Sequence, residues 1–133
     1  MAIVRREDLP SRLYKVVSAD GGNAWSEPIY LFEGAAPNLL QLWSGNILLA
    51  TSDRSGIKGV RLSISKDLGE TWEDSVLIDK EYSIRDLGYP ATFELGTRPS
   101  EIMTVYYKEG QGIKQAIYSE NFVAENPNFT NFF

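Results

Sequence analysis

The chain has 133 residues, 43% of them hydrophobic and 23% charged, the proportions of one folded domain or part of one. A formal charge of −5 without a clustered Lys/Arg stripe argues against nucleic acid, because an acidic surface repels a phosphate backbone. With no cysteine and no histidine, the chain excludes disulfides, thiolate nucleophiles, imidazole metal sites and a Ser-His-Asp triad, so no metal or cofactor is expected.

The opening residues Met1–Asp8 are too short and too quickly charged for a secretory signal. The expectation is a cytoplasmic chain, or one whose N-terminus lies further upstream. No apolar run approaches the ~18 residues that span a bilayer, and no membrane partner is expected.

Apolar segments are short and bounded by turn residues. Leu13–Val17 runs into Ala19-Asp20-Gly21-Gly22-Asn23, and Asn38–Leu42 and Ile47–Thr51 flank Trp43-Ser44-Gly45-Asn46. Further on come Val60–Ser65, Ser75–Asp79, Ala91–Leu95, Ile102–Tyr106 and Lys114–Tyr118. Strands of about five residues joined by Gly/Asn turns read as antiparallel hairpins. No stretch carries a helical apolar stripe, so the expected class is all-β.

The hairpins repeat. Ser18-Ala19-Asp20-Gly21-Gly22-Asn23-Ala24-Trp25 returns as Ser65-Lys66-Asp67-Leu68-Gly69-Glu70-Thr71-Trp72, and 65 − 18 gives a period of 47. Ala36-Pro37 has a looser echo in Tyr89-Pro90, where 90 − 37 gives 53, and Ser119-Glu120-Asn121-Phe122 reads as a decayed third copy of the first motif. Four strands per unit at about this period is the pattern of a β-propeller. The division is 1–33 as a partial blade of three strands, 34–80 as a full blade of four, and 81–133 as a partial blade of three with a tail. That is about two and a half four-stranded antiparallel blades in one incomplete domain, too few for a ring of typically 4–8.

Each motif suits a tight turn. Ser and Asp oxygens can accept backbone N–H groups the turn leaves unpaired. Gly22 and Gly69 can take positive φ, and Trp25 and Trp72 are expected to fold back and bury their rings between outer strands. The acids lack the alternation of a calcium loop, so these residues read as fold markers.

The two motifs resemble the Asp box of bacterial neuraminidases, and the chain resembles the C-terminal half of the sialidase superfamily. The supporting segments include Ala2-Ile3-Val4-Arg5, Trp25-Ser26-Glu27-Pro28, Gly45-x-Ile47-Leu48, Asp86-Leu87-Gly88-Tyr89-Pro90, Thr104-Val105-Tyr106-Tyr107 and Gly112-Ile113-Lys114, spanning roughly residues 2–118. The resemblance implies a partial propeller of the sialidase type and a retaining glycoside hydrolase chemistry with a tyrosine nucleophile. It assigns Tyr89 to the nucleophile position and Arg5 and Arg54 to the clamp on a sugar carboxylate, which planar guanidiniums grip bidentately. The implied partner is a terminal acidic sugar or glycan. The blades that carry the family's first arginine and its acid/base Asp have no counterpart here, and neither does its Glu partner, so the isolated chain is expected to be inactive.

Other roles stay open for these residues. Arg5 beside Arg6 fits a basic turn, Arg54 can pair with Asp53 on the surface, and Tyr89 can pack at a blade boundary with Pro90 fixing the turn. Glu94 reads as the polar position of an inner strand, and of Tyr106 and Tyr107 at most one faces any site. Asn128-Phe129-Thr130 matches a glycosylation sequon, read as incidental, and the phenylalanines of the tail suit a covered sheet edge. Open blades imply association, as a homo-oligomeric dimer or with a complementing propeller chain. The alternative function is a non-catalytic Asp-box module that binds carbohydrate or protein.

Overall fold

The computed structural model describes residues 1–54, 57–73, 76–82, 86–96 and 101–125. The tail beyond Glu125, with its sequon and its three phenylalanines, and Ser75 at the expected start of a strand, fall outside them.

Among the described residues, ten strands form three antiparallel sheets. β1 (Ala2–Arg6), β2 (Arg12–Val16) and β3 (Ile29–Glu33) make sheet A in the order β1-β2-β3. β4 (Ala35–Gln41), β5 (Ile47–Asp53), β6 (Lys58–Ser65) and β7 (Val76–Glu81) make sheet B in chain order. β8 (Leu87–Glu94), β9 (Glu101–Lys108) and β10 (Gly112–Ser119) make sheet C. The fold is all-β, and the described residues form sheets of three, four and three strands with one short helix.

Register defines the repeat. Ser52 pairs with Val60 and Arg5 with Leu13, so β1, β2 and β3 correspond to β5, β6 and β7. Asn38 pairs with Ala50 and Ala91 with Val105, so β8, β9 and β10 correspond to β4, β5 and β6. Both first strands slip register at the same place, after Ala35 in β4 and after Gly88 in β8. There the residue before the proline takes positive φ, 46° at Ala36 and 53° at Tyr89. A side chain in that region is strained, and a following proline disfavours it further, so the surrounding sheets must hold both positions.

Alternation assigns the core. Leu48 and Ala50 of β5 with Val60, Leu62 and Ile64 of β6 meet Leu87, Ile102, Tyr106, Ala116 and Tyr118 of sheet C, all buried. At roughly 25 cal/mol per Å² of apolar surface, each fully buried Leu or Ile contributes about 1.5–3 kcal/mol, making this seam the main source of stability. Two polar clusters sit inside it. The Thr104 hydroxyl bonds to both the Thr92 hydroxyl (3.0 Å) and the Tyr118 hydroxyl (2.5 Å). Asp79, at a φ of 49°, accepts from the Tyr106 hydroxyl (2.9 Å) and the Lys108 ammonium (2.5 Å), and that ammonium lies 3.7 Å from Glu81. Burial, then the Asp79 carboxylate, pushes the Tyr106 phenol well above its usual range, and burial does the same at Tyr118.

The third motif copy is not an Asp-box turn. Ile47 pairs with Ser65 and Ile102 with Tyr118, so Tyr118, not Ser119, holds the serine position. The chain instead turns into α1 (Glu120–Glu125), whose start the Ser119 hydroxyl caps by accepting the Phe122 amide (3.1 Å). Glu120 accepts from the Ser44 hydroxyl (2.9 Å) and the Asn46 carboxamide (2.5 Å), tying α1 to the β4–β5 turn. Val123 is buried against the seam.

Candidate functional site

Arg5, Arg54 and Tyr89 lie at strand ends of three different sheets and line two neighbouring hollows. Arg5 lies at the end of β1, Arg54 immediately after β5, and Tyr89 in the bulge that opens β8. Arg5 and Arg54 line one hollow of about 490 Å³, together with Glu7, Glu33, Asp53 and the Leu9-Pro10-Ser11 turn. Arg5 also lines a neighbouring hollow with Ala36, Pro37, Tyr89 and Pro90. Residues far apart in sequence are thus brought together, with Arg5 lining both hollows.

The Arg54 guanidinium stacks on the Tyr89 ring, 5.1 Å from its centroid, a cation–π contact. Its Nε donates to the Leu87 carbonyl (3.3 Å) and its Nη2 lies 3.5 Å from Asp86. The expected surface pair with Asp53 does not form, because Arg61 across the ladder takes that carboxylate. Arg5 is ion-paired with Glu7. Nor are the two arginines repeat-equivalent: by register Arg5 corresponds to Ser52, and Arg54 to Glu7.

Tyr89 is positioned by its backbone. Its amide donates to the hydroxyl of fully buried Ser52 (3.2 Å), while 62% of the residue stays open to solvent. Gly88 makes that approach possible. A Cβ there would stand 2.0 Å from the Ser52 hydroxyl oxygen, and its φ of 149° is one that side chains rarely adopt. Among the described residues, none accepts a hydrogen bond from the Tyr89 hydroxyl, and none forms a cluster able to hold a metal ion.

Sequence reasoning missed Ser52, Asp86 and Glu7, which tether Tyr89, face Arg54 and hold Arg5. Only Asp86 carried a signal, its place in Asp86-Leu87-Gly88-Tyr89-Pro90. Glu94 is a cross-sheet acceptor, taking the Trp43 amide (2.8 Å). Tyr106 points into the seam, and Tyr107 lies on the opposite, half-buried face of β9.

The two motif turns have the expected bonds. Ser18 accepts the amides of Asp20 (3.4 Å) and Gly22 (2.8 Å), and Ser65 those of Asp67 (3.4 Å) and Gly69 (2.8 Å). Asp20 accepts the amides of Asn23 (3.0 Å) and Ala24 (2.9 Å), and Asp67 that of Thr71 (2.8 Å). The Thr71 hydroxyl and amide, then the Ser65 hydroxyl, hold the Asp67 carboxyl down at about 2. The amide of Ala24, then the Ser18 hydroxyl, lowers Asp20 as well. The expectation of buried tryptophan rings fails for Trp25, which is 50% exposed.

No family model, no curated protein and no solved structure matches this chain. No helix among the described residues is long and apolar enough to cross a membrane.

Proposed function

We propose that this chain is part of a sialidase-type β-propeller and binds terminal acidic sugars at the mouth framed by Arg5, Arg54 and Tyr89. The observation that carries this reading is the convergence of two guanidiniums and an exposed phenol from three different sheets on adjoining hollows. Guanidiniums suit a sugar carboxylate, and an amphipathic ring beside them suits a pyranose face. The paired Asp-box turns and the 3, 4, 3 division of strands support the propeller type.

Binding without turnover is the expected behaviour of the isolated chain. A phenol becomes a nucleophile when a neighbouring base takes its proton, and no described residue is bonded to the Tyr89 hydroxyl. Titration of the full chain with a methyl sialoside, followed by NMR, should give saturable binding. Arg54→Ala should weaken it at least about tenfold, the scale of a lost charge-assisted bond. Tyr89→Phe should leave it nearly unchanged, and a fluorogenic sialoside should not be cleaved. Absence of saturable binding to any acidic sugar would overturn the reading.

A non-catalytic protein-binding module is favoured by a separate observation. One face of sheet C is open, with Phe93, Ile113 and Ile117 exposed beside half-buried Met103 and Val105. We read this face as the reason such a chain associates, as a two-fold dimer or with a complementing propeller chain. Light scattering across a gel-filtration peak decides it: a monomer at all concentrations would refute self-association.

A further inference from the structure

The two junctions between sheets are built alike at the mouth and carry different side chains. β1 corresponds to β5, so Glu7 stands at the A–B junction where the B–C junction has Arg54. Ala35 faces Ser52 as Gly88 faces Tyr107, which sets Glu33, Gly34 and Ala36 at the places of Asp86, Leu87 and Tyr89. The backbone takes the same positive φ at Ala36 and Tyr89, 46° and 53°.

At the B–C junction the Arg54 guanidinium fills the slot this backbone makes. It lies 3.5 Å from the Asp86 carboxylate, donates to the Leu87 carbonyl (3.3 Å) and stacks on the Tyr89 ring. At the A–B junction a carboxylate replaces the guanidinium, a methyl replaces the ring and a glycine replaces the leucine. What remains there is the hollow of about 490 Å³ bordered by Glu7, Glu33 and Gly34. The acid of the slot is kept, and no guanidinium stands at the place that Arg54 takes next door.

We propose that this slot receives a cationic group of the ligand, a protonated amine, so that the sugar acid bound at the mouth is one whose amine is free rather than acylated. The inference rests on the reading of the mouth as an acidic-sugar site and narrows the class of sugar it takes.

The charges around the hollow support it. Asp53 is held by Arg61, and Asp8 by Arg6 and Arg12. Arg54 borders the hollow but is engaged with Asp86 and Leu87. Glu33 differs: it is exposed, and no described residue ion-pairs with its carboxylate or donates a hydrogen bond to it. Arg12, opposite Glu33 in the ladder, lies toward Asp8. Arg5 lines this hollow and the next one, which places it to take the ligand's carboxylate. Glu7 is ion-paired with Arg5, so a carboxylate that takes over Arg5 turns Glu7 toward the incoming amine as well.

An ammonium brings three donors and a positive charge to these acceptors. An acylated nitrogen brings one donor, no charge and a carbonyl oxygen that only accepts. Acids facing that oxygen would disfavour the acylated sugar, so the slot selects by repulsion as well as attraction.

Two methyl glycosides decide it, that of neuraminic acid with its amine free and that of the N-acetylated form, each titrated into the full chain and followed by NMR. The free amine should bind about three- to fivefold more tightly, the scale of one partly exposed ion pair. It should shift the Glu33 and Gly34 amides, which the N-acetylated form leaves in place. Glu33→Gln should bring the two affinities together. Equal affinities on the unaltered chain, or a preference that survives Glu33→Gln, would overturn this inference and leave the acidic-sugar reading standing. No saturable binding of either glycoside would overturn both. A second measurement needs no sugar: Glu7→Arg puts a guanidinium where the B–C junction has one. That variant should melt higher than Glu7→Gln, and the gain should vanish when Glu33→Gln is added. A gain that persists without Glu33, or no gain at all, would mean that the slot does not recognise a cation and would overturn the inference.

Discussion

The two Asp-box turns are the same object in different settings. Four of their internal hydrogen bonds match atom for atom, yet Ser65 and Gly69 are buried while Gly22 and Trp25 are open to solvent. Sheet A is the cause. Lys15, itself buried, crosses to donate to the Gly69 carbonyl (3.0 Å) and to Glu70 (3.1 Å), and Met1 lies against Gly69. In the first turn the equivalent Gly22 carbonyl instead accepts from the Trp25 indole (3.1 Å). With that carbonyl taken by Lys15, the Trp72 indole nitrogen is buried without a partner. Local sequence thus sets the turn, and the neighbouring sheet sets its burial and the tryptophan's bond.

The sharpest test removes the same hydroxyl from each turn. Ser65→Ala leaves two amides unpaired in a covered site and should cost about 1–3 kcal/mol by chemical denaturation, whereas Ser18→Ala, where water can substitute, should cost about 0.5–1. Equal losses would mean that sheet A does not shield the second turn. Lys15→Met should cost about 1–2 kcal/mol, and it frees the Gly69 carbonyl for the Trp72 indole. A shift in tryptophan fluorescence should accompany it, absent when the same change is made with Trp72→Phe.

Acid separates the two turns next. The Asp67 carboxyl titrates at about 2, below its ordinary 3.8, so its stabilisation is complete above about pH 4 and is lost as pH falls toward 2. Thr71→Ala should bring Asp67 toward Asp20 and move that acid loss to higher pH, measured by NMR titration of the two carboxyls. The smallest effect is the reverse change, Ala24→Thr, which offers Asp20 the hydroxyl that Asp67 already has. It should raise the melting temperature slightly and lower the Asp20 carboxyl further.

The strands were legible because each is a short apolar run closed by turn residues, and the 47-residue repeat carried the 3, 4, 3 division. What failed depended on neighbours. Ser119 matched Ser65 by letter, but the ladder places Tyr118 there, and α1 is too short for an apolar stripe to reveal. Trp25 carries the same signal as Trp72 and differs only in what stands opposite. Arg5, Arg54 and Tyr89 were singled out by family resemblance alone, and the structure sets them beside neighbouring hollows, whereas the Ser52 tether and the Asp86 partner arise from contacts between sheets. Asp53 was the near choice for Arg54, but strand pairing with β6 gives it to Arg61.

Among the described residues, the seams between sheets each enclose one lysine, Lys15 between A and B and Lys108 between B and C. Their amines are shielded while Lys66 stays exposed, so an acylating reagent would modify Lys66 at once and reach the other two only when a seam parts. Mass spectrometry of the tryptic peptides would then time the opening of each seam separately, which makes the chain its own gauge of which sheet leaves first.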